Sequence, residues 1–153
     1  MNSHTKATCA GPLPEELLFV ATLRAADTLN QGAEQLIKSA GLTMAQYNVL
    51  RILRGAEPDG LPCRAIGDRM ISRDPDMTRL LDRMEKRLLI TRQRQTQDRR
   101  VVKARITAAG AKMLKKLDAP VRELHKEQFA HMSAGSLKAL TELLEELGVR
   151  KEV

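Results

Sequence analysis

Thr78, Arg79, Asp82 and Arg83 fall within one helix-like segment, and Asp98, Arg99 and Arg100 follow shortly after it. Such a set can recognise a nucleic-acid duplex. Guanidinium groups fork onto guanine edges or phosphates, a threonine hydroxyl bonds a phosphate, and a carboxylate accepts from a cytosine amine. Asp98-Arg99-Arg100 lies between Leu89-Ile90-Thr91-Arg92-Gln93-Arg94 and Val101-Val102-Lys103-Ala104-Arg105-Ile106, two short alternating stretches that read as a β-ribbon. A basic helix followed at once by a ribbon tipped with arginines fits both grooves of DNA. The helix enters the major groove and the tip reaches an adjacent minor groove.

On this reading Arg99 and Arg100 are minor-groove contacts. Arg79 and Arg83, one helical turn apart, read guanine edges or phosphates, unless Asp82 or Glu85 claims them in surface ion pairs. Arg73 and Asp76, near the start of the same helix, join the candidate DNA-binding set. Asp98 cannot hold a phosphate, so it either orients a ribbon arginine or pairs with the helix.

The elements that must position these side chains are mostly helical. Pro14, with Glu15 and Glu16 behind it, opens a long helix whose apolar face holds Leu17, Val20, Leu23, Leu29, Ala33, Leu36 and Ile37, and Gly41 stops it. Thr43 and Gln46 form a capping box for the next helix. Gly55 to Gly60 is a turn, and a short supporting helix runs from Pro62 to Met70, where Gly67 suggests a close helix–helix approach. Asp74-Pro75 is expected to cap the DNA-presenting helix, which runs to about Leu88 with Met77, Leu80, Leu81, Met84 and Leu88 as its buried stripe. After the ribbon, Thr107 caps a second long helix that Pro120 must kink or break. Ser133 caps a last helix bearing Leu137, Leu140, Leu144 and Leu147, ended by Gly148. The fold class is therefore mainly α, with a helix-turn-helix and a small ribbon.

Charge is concentrated where the reading needs it. From Arg64 to Arg105 there are thirteen basic and six acidic residues, which accounts for the whole net charge of +7. A one-sided basic surface attracts a phosphate backbone. With no Trp, one Tyr and two Phe, the chain lacks the rings on which single-stranded bases stack. Its 153 residues suit one domain with a real core. No apolar run approaches the ~20 residues that span a bilayer, and the first residues lack the apolar centre of a secretory signal, so the expectation is a cytoplasmic protein without a membrane partner. Cys9 and Cys63 make neither a disulfide framework nor a zinc cluster, and His4, His125 and His131 are too scattered to hold a metal. No catalytic constellation and no cofactor motif is present, which argues against an enzyme.

Three segments in order carry a family resemblance. Leu42-Thr43-Met44-Ala45-Gln46-Tyr47-Asn48-Val49-Leu50, then Asp76-Met77-Thr78-Arg79-Leu80-Leu81-Asp82-Arg83-Met84-Glu85, then Asp98-Arg99-Arg100 with Ile106-Thr107-Ala108-Ala109-Gly110 resemble MarR-type transcription regulators. They correspond to the opening, the recognition helix and the wing of a winged helix-turn-helix. The resemblance implies a tail over residues 1–12 and one domain over 13–153. Within that domain it implies a DNA-binding lobe over about 43–106 and dimerisation helices over about 14–40 and 107–148. It implies a homodimer on a pseudo-palindromic operator, with Leu17, Leu137, Leu140, Leu144 and Leu147 at the dimer interface. It further implies a repressor that answers a small aromatic or phenolic effector, the alternatives being oxidation sensing at a cysteine or a non-catalytic winged-helix scaffold. The family usually has Gly after the recognition helix, where this chain has Leu88, so that corner is expected to turn differently. Pro62 replaces the usual hydroxyl cap of the supporting helix.

Overall fold

The computed structural model describes residues 11–71, 76–95 and 100–148. Helix α1 spans Pro14–Ser39. The Glu16 carboxylate accepts from the Leu13 N–H at 3.0 Å, tying down one of the free donors of the first turn. Helix α2, Met44–Arg54, starts on the expected capping box: Thr43 Oγ1 accepts from the Gln46 N–H and Gln46 Oε1 from the Thr43 N–H. Val49, Leu50 and Leu53 of α2 are wholly buried and form the centre of the core.

The lobe is completed by β1 (Leu61–Pro62), α3 (Cys63–Arg69), α4 (Met77–Lys86), β2 (Ile90–Arg94) and β3 (Val102–Ile106). The two alternating stretches pair antiparallel, Ile90 opposite Ile106, Arg92 opposite Ala104 and Arg94 opposite Val102. The sequence reading missed β1. Two residues carry no periodicity, yet they pair with Ala104 and Lys103 and make a three-stranded sheet of order β1-β3-β2. Helix α5, Ala108–Gln128, is capped by Thr107, whose Oγ1 accepts from the Gly110 N–H at 3.0 Å. Helix α6, Ala134–Gly148, is capped by Ser133.

Four expectations are corrected. Helix α4 is capped by Asp76, whose carboxylate accepts from the Arg79 N–H at 3.1 Å, while Asp74 and Pro75 lie outside the described residues. Pro120 does not break α5, which continues through it from Ala108 to Gln128. Among the described residues no helix comes close to Gly67, where a Cβ would meet the Met77 methyl at 3.9 Å. Close packing does require glycine at Gly110, where a Cβ would lie 2.3 Å from the Leu89 carbonyl oxygen, and at Gly60, where it would lie 2.4 Å from that of Ala104.

The fourth correction concerns Leu88. The corner keeps the left-handed geometry that glycine normally supplies, with Leu88 at φ 57°. The end of α1 shows why. There Gly41, at φ 78°, donates to the Lys38 carbonyl and Leu42 to that of Ile37, a Schellman closure over a buried Ile37–Leu42 pair. At the end of α4 Leu88 donates to Glu85 and Leu89 to Met84, again over two buried side chains, Met84 and Leu89. The Thr107 hydroxyl also grips the Leu88 carbonyl at 2.6 Å. These bonds hold an unfavourable residue in a required conformation, and the Leu88 side chain, 72% exposed, leaves the buried stripe. Leu88→Gly is therefore expected to stabilise the fold by about 1 kcal/mol, read as a higher urea midpoint at unchanged slope.

The lobe core takes Leu80, Leu81 and Met84 from α4, Ile90 from β2, Ala104 and Ile106 from β3, and Leu114 and Leu117 from α5. From α1 it takes only the C-terminal part, Ala33 and Ile37. Leu17, Leu18, Phe19, Val20 and Leu23 at the other end are exposed, and α6 contributes no buried residue.

Candidate nucleic-acid interface

Helix α4 has two unlike faces. Leu80, Leu81 and Met84 are at most 1% exposed, whereas Thr78, Arg79, Arg83 and Lys86 face solvent. The 3.6-residue period places apolar residues at spacings of three and four on one side and cations on the other. Asp76, Arg79, Asp82, Arg83 and Lys86 line a hollow of about 330 Å³ on the outer face.

Ion pairing on this face follows a pattern the sequence left open. Arg79 Nε lies 3.0 Å from Asp76, the residue that caps its own helix. Arg83 Nε donates to the Arg79 carbonyl at 3.3 Å, and among the described residues no carboxylate pairs with Arg83. Asp82 and Glu85 bind neither. Both are taken by Arg92 of β2. Its backbone N–H donates to Glu85 Oε1 at 2.9 Å, its Nε and a terminal nitrogen to Glu85 Oε2 at 3.0 and 2.8 Å, and that same terminal nitrogen to Asp82 Oδ1. The Arg92 side chain is 22% exposed. Hydrogen bonding to Glu85, ahead of the opposing cost of burial, pushes its pKa further up, so the guanidinium stays charged.

The C-terminal end of α4 is tied down as well. Arg87 donates to the Gly41 carbonyl at 2.9 Å and to Gln46 Oε1 at 3.2 Å. One side chain thus joins the end of the presenting helix to the corner between α1 and α2.

A second concavity lies between α2 of the lobe and helices α5 and α6. Its volume is about 610 Å³, in the range of small-molecule sites. Tyr47, Val121, Phe129 and Leu137 supply apolar wall, and Arg51, Arg54 and Arg122 supply positive charge. Arg51 stacks over the Tyr47 ring at 5.8 Å. Arg54 binds both oxygens of Asp118 at 2.9 and 2.8 Å, bridging α2 to α5.

Residues 42–102 match the MarR family profile. A solved MarR transcription factor from Planctomyces limnophilus is 38% identical, with a TM-score of 0.67 over 89% of this chain and 98% of that one. The chain belongs to the MarR family. It is a winged-helix transcriptional regulator and not an enzyme. The homoprotocatechuate degradative operon repressor of Escherichia coli is 27% identical over 129 residues, 84% of this chain and 86% of that protein. The Bordetella bronchiseptica regulator BpsR, solved in a study of how 6-hydroxynicotinic acid regulates its DNA binding, is 20% identical. It superposes with a TM-score of 0.80 over 93% of this chain and all of that one.

In MarR-family terms α4 is the recognition helix and the β2–β3 ribbon the wing. Of the expected DNA-contacting residues, Asp76, Thr78, Arg79 and Arg83 come together on α4, and Arg100 is exposed on the wing. Arg73, Asp98 and Arg99 lie outside the described residues. Of the expected interface leucines, Leu17, Leu140, Leu144 and Leu147 are exposed. Leu137 is half-buried and lines the cleft. Exposed Leu18, Phe19 and Leu143 went unremarked in the sequence reading. Cys63, at the start of α3, is half-buried, and its pKa lies above that of a free thiol. Burial raises it, against a smaller opposing pull from Arg92, which keeps it a thiol at neutral pH. Cys9 lies outside the described residues.

Sequence reasoning also missed Arg92, and a signal for it was present. Counting by twos from the core residue Ile90 puts Arg92 on the inward face of β2, where a charge needs a partner. Glu85, at the inner edge of the recognition helix, is that partner.

Proposed function

We propose that the protein acts as a homodimeric repressor that binds a pseudo-palindromic operator and releases it when a small aromatic anion fills the cleft. The observation that carries the DNA-binding part is the recognition helix itself. Its apolar face is buried in the lobe, so the cations opposite are fixed outward beside the wing. Thr78, Arg79, Arg83 and Lys86 are then the major-groove and phosphate contacts, with Arg100 at the minor groove and Arg73 and Arg99 completing the set. Asp76 acts on DNA through the cap and through Arg79.

The dimer is supported by the exposed apolar residues Leu17, Leu18, Phe19 and Leu23 of α1 and Leu140, Leu143, Leu144 and Leu147 of α6. Repression is suggested by the operon repressor among the relatives. The effector class rests on the cleft, whose cations and apolar wall suit a ring bearing a carboxylate, and on the ligand studied with the similarly folded BpsR. The raised pKa of Cys63 speaks against oxidation sensing at that residue.

Selection from randomised duplex DNA followed by footprinting tests the reading. The expected result is protection of two half-sites separated by roughly one helical turn. Affinity should fall with salt at a log–log slope on the order of 6–10. A slope near zero would mean that the basic face does not meet phosphate. Small aromatic carboxylates added to the complex should release the DNA, and Arg51→Ala should blunt that release while leaving DNA affinity in place.

A further inference from the structure

The recognition helix is only weakly electropositive by itself. With its two caps, from Asp76 to Arg87, it carries four basic residues, Arg79, Arg83, Lys86 and Arg87, and three acidic ones, Asp76, Asp82 and Glu85, and Arg87 is turned to the corner between α1 and α2. A helix with so small a net charge gains little from approaching a phosphate backbone, and an uncompensated carboxylate on the approaching face is repelled. Asp76 is accounted for by its cap and its pair with Arg79. The other two acids meet a single cation from outside the helix, Arg92, through four hydrogen bonds. Asp82 is still partly open to solvent and lines the outer hollow beside Arg79 and Arg83.

We propose that Arg92 is a positioning residue for DNA binding, acting through Asp82 and Glu85: it cancels the two carboxylates, so that they neither draw Arg79 and Lys86 nor repel the phosphates that Arg79, Arg83 and Lys86 meet. Arg92 touches no DNA in this scheme. Its strand position suits the role. Ile90 anchors the same face of β2 in the core, and Ala104, the small residue opposite Arg92 on β3, is fully buried. The guanidinium is thereby held against α4. If Arg92 were lost, Asp82 lies three residues from Arg79 and four from Lys86, the spacings at which side chains meet on a helix, and would compete with DNA for both. The same four hydrogen bonds also suit a purely mechanical clamp between wing and helix, and the two roles predict opposite outcomes when the acids are neutralised.

The proposal rests on the recognition helix meeting DNA. The probes are a duplex recovered from randomised DNA with the wild-type protein and a scrambled duplex of equal length. Arg92→Ala should weaken binding to the selected duplex on the order of 10²-fold, because a dimer presents two such helices. Adding Asp82→Asn and Glu85→Gln to that variant should recover at least about tenfold, since the repelling charges are gone although no clamp is restored. With Arg92 intact, Asp82→Asn with Glu85→Gln should bind both duplexes more tightly than wild type; this variant keeps the arginine and guards against a simple folding defect of Arg92→Ala. A triple variant as weak as Arg92→Ala, or an acid-neutralised variant weaker than wild type, would overturn the charge role in favour of the clamp. Wild-type binding that is unchanged in Arg92→Ala would overturn the proposal alone. A wild type that binds no duplex would overturn the DNA-binding reading and the proposal with it.

Discussion

Leu140→Asp combined with Leu144→Asp is expected to convert the protein to a monomer and to abolish operator binding. Both side chains are exposed on α6, at 39% and 45%, and α6 gives no residue to the lobe core. Their burial would therefore come from a second copy. Fully burying a leucine contributes about 1.5–3 kcal/mol, and each substitution acts twice in a symmetric dimer. Introducing carboxylates adds a desolvation penalty, so the dimer should lose well over 6 kcal/mol by this arithmetic. A lobe that binds alone would forfeit the second half-site and the gain from engaging two sites at once. Sedimentation should show the mass of one chain, with near-native helicity because the core is untouched. A doubly substituted protein that remains dimeric with undiminished operator affinity would place the interface elsewhere.

The second large effect is on stability. Gly110→Ala is expected to cost about 3 kcal/mol. The new Cβ would lie 2.3 Å from the Leu89 carbonyl oxygen, 3.1 Å from Ile106 Cγ1 and 3.2 Å from Leu50 Cδ2. The nearest of these is backbone, and that carbonyl already accepts the Thr107 N–H at 3.1 Å. It cannot retreat without loosening the junction of recognition helix, wing and α5. Gly67→Ala supplies the contrast. Among the described residues its nearest outside atom is the Met77 methyl at 3.9 Å, so the added methyl fits and the helix gains up to about 1 kcal/mol from alanine's propensity. The same chemical change should thus lower the thermal midpoint at one glycine and raise it at the other. Equal midpoints for Gly110→Ala and wild type would show that the Leu89 carbonyl has room to move.

Much of this molecule is determined by short stretches of its sequence. The capping box of Thr43 and Gln46 depends on residues three apart. So does the Thr107 cap on α5. The stripe of Leu80, Leu81 and Met84 needs only the helical period, and the β2–β3 pairing needs only alternation around a turn. These local rules placed the recognition helix, the wing and the basic face between them, because each is visible within about one turn of chain. Tertiary structure decided what links those pieces. Leu61–Pro62 becomes a strand only because Ala104 and Lys103 come alongside. Leu88 takes a left-handed conformation against its own preference because the Schellman bonds and the Thr107 hydroxyl leave no other path to a buried Leu89. The partner of Asp82 and Glu85 is set by the inward face of a neighbouring strand rather than by the nearest arginine on their own helix. The cleft exists only where Arg54 meets Asp118 across 64 residues of sequence. Periodicity reports which face of an element is buried; which charges then meet across the buried face depends on how the elements pack, and no local pattern carries that information.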